Sequence, residues 1–215
     1  LTGIQRIAKE NIFSGLNNLV VCTVQDEDYD DCFGFTEQEV KELLAYCKAE
    51  FSDELKKMYD GYHFGNADIY CPWDVINFCS DHRTDPKLAP KNYWANTSGN
   101  SVISHFIESV NEPHKLTKME LEQLVNGGIV QKEINPELTY KELYSSIDNL
   151  WSTLFMTGYL TQRGEPNGDR YNLVIPNREI RNIITNHILK MFKESIKEDG
   201  KTVGEFCEAL LKQNP

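Results

Sequence analysis

Two polar residues near the start of the chain, Thr2 and Arg6, have the types and the spacing that suit a phosphate ligand. Thr2 and Gly3 indicate the end of a buried strand, and α/β sheets bind ligands at the carboxyl ends of parallel strands. Arg6 follows about one helical turn later, where a guanidinium group can reach a phosphate. Because many strand ends carry a threonine, the pair alone is weak evidence for nucleotide chemistry.

A second candidate is the segment 59–65, in which aromatic residues alternate between glycines. This pattern predicts a short strand or hairpin. Two interpretations stay open. In the first, Asp60, Gly61, Tyr62 and Gly65 line a pocket. In the second, which the residue types favour, the glycines supply positive φ and the aromatic side chains fill a core.

Other common catalytic patterns are absent from the sequence. It contains no G-x-S-x-G nucleophile elbow, no glycine-rich phosphate loop and no H-E-x-x-H pair. Its six cysteines form no C-x-x-C pair, which disfavours a metal cluster because four ligands must converge on one ion. Scattered single cysteines indicate buried thiols in a reducing compartment, so we expect a cytoplasmic protein.

Composition and charge narrow the class of protein. A chain of 215 residues with 40% hydrophobic content predicts one large or two small globular domains. No apolar run approaches the ~20 residues that span a bilayer, so no membrane partner is expected. The net charge is −11, of which residues 26–60 account for −8 with twelve acidic residues and four lysines. This acidic segment is either a solvated helix surface or a docking surface for a basic partner.

The elements that must position these residues fall into blocks. Residues 1–35 indicate the tail of a domain that begins upstream, with a strand at 19–24. Residues 36–115 are mostly helical, starting from a Thr36–Glu39 capping box and with a further helix start at Ser52. Pro72 suits the first turn of another helix.

The third block, 116–198, has an informative order of elements. It predicts a helix from Thr117 boxed with Glu120, a strand at 129–134, a helix at 136–144, a helix capped by Ser146, and strands at 159–162 and 170–175. That order is typical of a winged helix. We expect Pro176 to open a long amphipathic helix after it, and 199–215 to start a following helical segment.

Charge argues against DNA binding by this winged helix. Its third helix, 147–156, carries no basic residue and one acid, whereas DNA readers place Arg, Lys, Asn or Gln there. Residues 117–175 contain five basic and eight acidic residues. The charge therefore disfavours nucleic acid as a partner, and packing against another domain is the favoured role.

Several motifs together strongly resemble the bacterial AAA-ATPase-like proteins, P-loop ATPases related to the signal-transducing ATPases. The resemblance runs from residue 1 to about 200. It rests on Leu1-Thr2-Gly3-Ile4-Gln5-Arg6, Phe13-Ser14-Gly15-Leu16, Gly34-Phe35-Thr36, Tyr59-Asp60-Gly61-Tyr62 with Phe64-Gly65, Tyr70 with Pro72-Trp73, and Leu150-Trp151 with Thr157-Gly158-Tyr159-Leu160. Cys71 departs from the pattern, which has Asn before the Pro-Trp pair.

The resemblance implies a mainly α chain with small β elements: the tail of an α/β ATPase core (1–35), a helical lid (36–115) and a winged-helix domain (116–198). Thr2, Gly3 and Arg6 would then lie near the nucleotide, with Thr2 as a sensor-type residue. ATP and Mg²⁺ are expected for the parent protein and none for this chain. The missing N-terminal ATPase core is its expected partner, and a restriction-endonuclease-like nuclease domain often follows in such proteins. The alternative is a helical and winged-helix protein-interaction module without nucleotide binding.

Overall fold

A computed structural model describes residues 22–23, 25–94, 101–109, 115–138, 141–143 and 145–198. Within them lie seven helices and five short strands. The helices are α1 (Glu37–Tyr46), α2 (Asp53–Tyr59), α3 (Pro72–His82), α4 (Ser101–Ser109), α5 (Lys115–Val125), α6 (Ile147–Met156) and α7 (Arg178–Glu198). The strands are β1 (Tyr62–Phe64), β2 (Ala67–Ile69), β3 (Val130–Glu133), β4 (Thr161–Gln162) and β5 (Arg170–Val174). The prediction of a mainly helical chain with small β elements is confirmed.

The first of two hydrophobic cores is built from α1, α2, α3 and the end of β2. Its local sequence explains the helix starts: Thr36 and Glu39 cap α1 reciprocally, and the Ser52 hydroxyl accepts the Leu55 amide at 3.2 Å. A two-stranded antiparallel hairpin, β1–β2, leads into α3. The fully buried side chains of this core include Val40, Leu44, Leu55, Tyr59 and Tyr70.

The second core contains α4, α5, α6, α7 and a three-stranded antiparallel sheet ordered β3–β5–β4. Val130 pairs with Leu173, and Thr161 pairs with Val174. Trp151 lies at its centre, fully buried, with its ring edge-on to Phe106 at 4.8 Å between ring centres. Helix α4, which the sequence groups with the helical region 36–115, packs into this second core.

One predicted helix, 136–144, is wrong. Turns occupy 136–137 and 141–143, while residues 139, 140 and 144 lie outside the described part. The Asn135 side chain accepts the Glu137 amide at 2.9 Å, which starts a side-chain turn. The Glu142 carbonyl accepts the Asn149 amide group at 2.8 Å, and the Leu143 carbonyl accepts the Thr153 hydroxyl at 3.2 Å. Side chains of α6 thus bind two carbonyls of this segment and hold its second turn against α6.

Two predicted helix starts are also wrong. Helix α5 begins at Lys115, so Thr117 lies inside its first turn, and Glu120 forms an ion pair with Lys132 at 2.8 Å. Helix α7 begins at Arg178 rather than at Pro176, and the Asn177 side chain accepts the Ile180 amide at 3.0 Å. Asn177 therefore acts as the cap.

The predicted winged helix is matched only in part by the order α5, β3, α6, β4, β5, because its second helix is absent from the described residues. That assignment stays a prediction. Of the predicted strand at 19–24, only Cys22 and Thr23 are described, and neither lies in a strand. The segment 199–215 also lies outside the described residues. Among the helices that the structure describes, none combines the length and the apolarity needed to cross a membrane.

Candidate functional site

The candidate residues 59–65 lie where the two cores meet, at a surface that we call the seam. On the side of the first core it consists of Glu54, residues 59–63, Asp74 and Asn92. On the side of the second core it consists of Trp94, Gly158, Thr161, residues 176–179 and Asn182. On the side of the first core, Tyr59 is held in place by Lys91: its hydroxyl donates to the Lys91 carbonyl at 2.9 Å and accepts the Lys91 amide at 3.0 Å. Burial raises the pKa of Tyr59 above its ordinary value, so this hydroxyl stays neutral.

Gly61 is the closest point of approach across the seam. Its φ is +116°, and a Cβ atom placed there would lie 1.9 Å from the carbonyl oxygen of Pro176. Any other L-residue would therefore meet both backbone strain and a backbone clash. Glycine is required here for packing between the two cores, in agreement with the structural interpretation of the motif.

The residues after Gly61 form cross-seam hydrogen bonds. The Tyr62 hydroxyl donates to the Gly158 carbonyl at 3.0 Å, and the His63 amide donates to the Thr161 hydroxyl oxygen at 3.0 Å. Both pairs link the β1–β2 hairpin to the end of α6 and to β4. The Tyr-Asp-Gly-Tyr motif thus joins two cores through contacts that its residues make with a distant part of the chain.

Three other candidates lie away from the seam or at its edge. The Phe64 ring packs beside that of Tyr62, with 6.2 Å between ring centres. A Cβ atom at Gly65, whose φ is +49°, would lie 2.6 Å from the Asp26 carbonyl oxygen, so the acidic segment packs closely on the hairpin. Trp73 lies in the first turn of α3 with half of its side chain exposed. The structure therefore does not bring Trp73 into a pocket with the motif.

An open cleft of about 380 Å³ lies beside Gly61. Of the predicted candidates that the structure describes, Asp60 and Gly61 line it. Burial raises the pKa of the Asp60 carboxyl, which lies 3.7 Å from the Lys56 ammonium group. The lining residues are Asp53, Lys56, Lys57, Asp60, Gly61, Asp68, Arg163 and Pro176. Since three acids face three bases, the cleft has no net preference for an anion or a cation.

The most unusual chemistry of the seam is a pair of buried carboxyl groups, Asp74 and Glu179. The two residues are 2% and 0% exposed, and their carboxyl groups lie close enough to share a hydrogen bond when one of them is protonated. Glu179 Oε1 also accepts the Trp94 amide at 2.6 Å. Burial, together with the nearby Asp74 charge, raises the pKa of Glu179 to about 8. The pKa of Asp74 is raised as well, chiefly by burial.

Sequence reasoning missed this pair. Each acid lies in the first turn of its helix, where Asp and Glu are common because they interact favourably with the helix dipole. Nothing in the local pattern distinguishes an acid that faces solvent from one that faces a second acid. Thr2, Gly3 and Arg6, the predicted nucleotide-proximal residues, lie outside the described residues, so their role stays a prediction.

Comparisons with known proteins identify one relative of undetermined function. The chain is 23% identical over 218 residues to a protein of Azotobacter chroococcum mcd 1 named only as an uncharacterized protein in the vnfD 5′ region. The match covers 98% of this chain and 38% of that protein, so the chain spans less than half the length of this relative. No protein-family model matches the chain. No solved structure matches it either.

Proposed function

We propose that this chain is the sensor, lid and winged-helix portion of a larger AAA-ATPase-like protein. The larger protein acts as a nucleotide-dependent switch, and this chain couples two of its parts that move relative to each other. It has no phosphate loop and no acidic Mg²⁺ strand in its sequence, so it does not hydrolyse ATP by itself. The observation that supports this proposal is the use of the Tyr-Asp-Gly-Tyr motif: its residues join two cores instead of forming a substrate site.

The polar character of the seam also supports a coupling role. Its contacts include an ion pair between Arg178 and Glu54 and a hydrogen bond from Asn182 to Asn92 at 3.3 Å. An exposed ion pair such as Arg178–Glu54 contributes about 0–1 kcal/mol. Interfaces within a chain that rely on such contacts permit relative movement of the two sides. A switch protein needs an interface that has a defined closed geometry and can still open.

The test compares the 215-residue chain with the natural longer protein that contains it. The chain alone should show no ATP turnover and no rise in melting temperature at millimolar ATP. Arg6→Ala in the longer protein should weaken ATP binding about tenfold or more, since a charge-assisted contact contributes roughly 1.5–3 kcal/mol. Arg163→Ala, which removes an exposed arginine of the cleft, is the matched control and should leave ATP binding unchanged.

Three results would count against this function. One is a rise of several degrees in the melting temperature of the chain alone, which would mean that it binds ATP directly. Another is a longer protein without affinity for nucleotide. In the third, Arg6→Ala lowers the melting temperature while nucleotide affinity stays the same, which would make Arg6 a structural residue and remove the sensor role.

A second candidate function is a protein-interaction module for a basic partner. The first part of the acidic segment, 26–31, contains one exposed aromatic side chain and is followed by another in the sequence: Tyr29 is 65% exposed and Phe33 is 61% exposed. Aromatic groups surrounded by like charges are typical of docking surfaces. A basic peptide such as oligolysine should then bind in a salt-dependent manner, and Phe33→Ser should weaken that binding. Equal binding by the variant would point to nonspecific charge attraction only.

A further inference from the structure

The buried acids Asp74 and Glu179 connect the two cores directly. Asp74 lies in the first turn of α3, which belongs to the first core, and Glu179 lies in the first turn of α7, which belongs to the second. The amino-terminal ends of these helices therefore face each other across the seam. Because each helix has partial positive charge at this end, the arrangement favours one shared negative charge.

A hydrogen bond between two carboxyl groups requires that one of them carry a proton. Carboxylate oxygens only accept hydrogen bonds, whereas a protonated carboxyl donates one. Asp74 Oδ1 and Glu179 Oε2 are buried and accept no hydrogen bond from an N–H or O–H group of the described residues. Two ionised carboxylates at this position would repel each other without access to water.

Among the residues that the structure describes, no group around the pair offers a compensating cation. The Cys71 side chain hydrogen bonds to Asp74, and the backbone amides of Tyr93 and Trp94 hydrogen bond to Glu179. The nearest basic groups of α7 point elsewhere, since Arg178 pairs with Glu54 and the Arg181 guanidinium group lies beside Gly127. The titratable groups facing the pair from other elements are the neutral phenols Tyr59, Tyr62 and Tyr93, with Tyr159 beside Tyr62.

We propose that Asp74 and Glu179 form a proton-dependent latch, in which one shared proton holds the seam closed and loss of that proton opens it. The latch depends on the geometry of these two side chains and stands independently of nucleotide binding. It predicts that the same seam which couples the cores also responds to pH.

The direction of the pH response follows from the proton count. The folded chain keeps a proton on Glu179 up to about pH 8, whereas the unfolded chain releases it near the ordinary pKa of a glutamate. Between these values the folded state binds the extra proton, so stability decreases as pH rises and levels off above about 8. Below the ordinary value both states are protonated and this contribution to stability is fully present.

The experiment combines thermal melting with infrared spectroscopy. From pH 6 to 8 the melting temperature should fall by roughly 3–5 °C per pH unit, beyond the change in a variant that lacks the proton. That variant is Glu179→Gln, whose amide donates to Asp74 at every pH and should remove this slope. Glu54→Gln, which removes an exposed carboxylate at the same seam, is the control and should keep the slope. Identical pH profiles for the wild type and Glu179→Gln would overturn the latch.

Measurements on the wild-type chain keep the proposal testable if Glu179→Gln does not fold. An infrared band of a buried protonated carboxyl should be present at pH 6 and absent at pH 9.5. Hydrogen exchange of the Trp94 amide, corrected for its intrinsic pH dependence, should accelerate at least tenfold over the same range. Absence of the band at pH 6 would refute the shared proton. Loss of the band with an unchanged Trp94 amide would refute the opening.

Discussion

Replacing Gly61 with alanine tests whether the seam is as closely packed as the structure indicates. The new methyl group would lie 1.9 Å from the Pro176 carbonyl oxygen, well inside any real contact distance. The backbone fixes the position of the new Cβ atom, and its neighbour is a backbone carbonyl oxygen, so no side-chain rotation relieves the clash. Alanine would also have to adopt a φ of +116°, which L-residues rarely do.

Two contributions set the expected loss of stability. Holding alanine in this conformation costs about 1–3 kcal/mol, and forcing the two backbones apart costs about 1–3 kcal/mol more. The free energy of unfolding should therefore fall by about 2–6 kcal/mol. For a chain of this length each kcal/mol lowers the melting temperature by roughly 2–4 °C, so we expect a decrease of roughly 4–24 °C.

Gly164→Ala is the matched control. Gly164 also has positive φ, +71°, but a Cβ atom there would meet nothing within 4 Å. Its replacement should cost only the conformational strain, about 1–2 kcal/mol. Thermal melting followed by circular dichroism, repeated in urea, measures both variants under the same conditions. If Gly61→Ala loses no more stability than Gly164→Ala, the close contact between Gly61 and Pro176 has no energetic consequence and the reasoning fails.

Two further predictions concern the helices. Cys71 occupies the N-cap of α3 in an extended conformation without a capping hydrogen bond, so Cys71→Asn should stabilise the chain by about 1 kcal/mol and Cys71→Ala should not; equal melting temperatures of the two variants would contradict this. Helix α6 has no basic residue, so the chain should show no sub-micromolar binding to duplex DNA at physiological salt in a polarisation assay; tight binding with a steep salt dependence would contradict it.

Local signals in the sequence were sufficient for much of the first core and for α6. The Thr36–Glu39 box and the caps at Ser52 and Ser146 involve residues within three positions of each other, and all three are present in the structure. The hairpin after Tyr59 follows equally from the local alternation of aromatic residues and glycines. In each case the partner that fixes the conformation is a near neighbour in the chain.

The helix predicted at 136–144 failed for the opposite reason. Its residue pattern is compatible with a helix, but the carbonyls of Glu142 and Leu143 are bound by Asn149 and Thr153 of α6. A helix ending at residue 144 would leave these two carbonyls without an intrahelical partner in any case, so what holds the turn at 141–143 is its contact with α6, which depends on how α6 is placed. Sequence periodicity contains no information about that placement.

The seam shows the same limit at longer range. The Tyr62–Gly158 hydrogen bond joins residues 96 apart, and the Trp94–Glu179 hydrogen bond joins residues 85 apart. The sequence singled out Gly61 and Tyr62 because aromatic residues alternate between glycines in this segment. It could not assign their partners, Pro176 and Gly158, which lie far along the chain. It also could not single out Asp74 and Glu179, since a buried acid and an exposed acid in a first helical turn have the same local pattern.

The pair of buried acids at the seam favours an interface that can open. Apolar side chains at the positions of Asp74 and Glu179 would close it without a proton, and such replacements of buried charged groups are often neutral or stabilising. The observed acids hold the seam only in one protonation state, and the remaining contacts around them are hydrogen bonds with defined geometry. Gly61 adds a close backbone contact that fixes the alignment of the two cores. The close contact gives the closed state one defined alignment, and a single proton on the Asp74–Glu179 pair changes the free energy of that state. Both properties suit an element that couples two moving parts better than they suit a permanent interface.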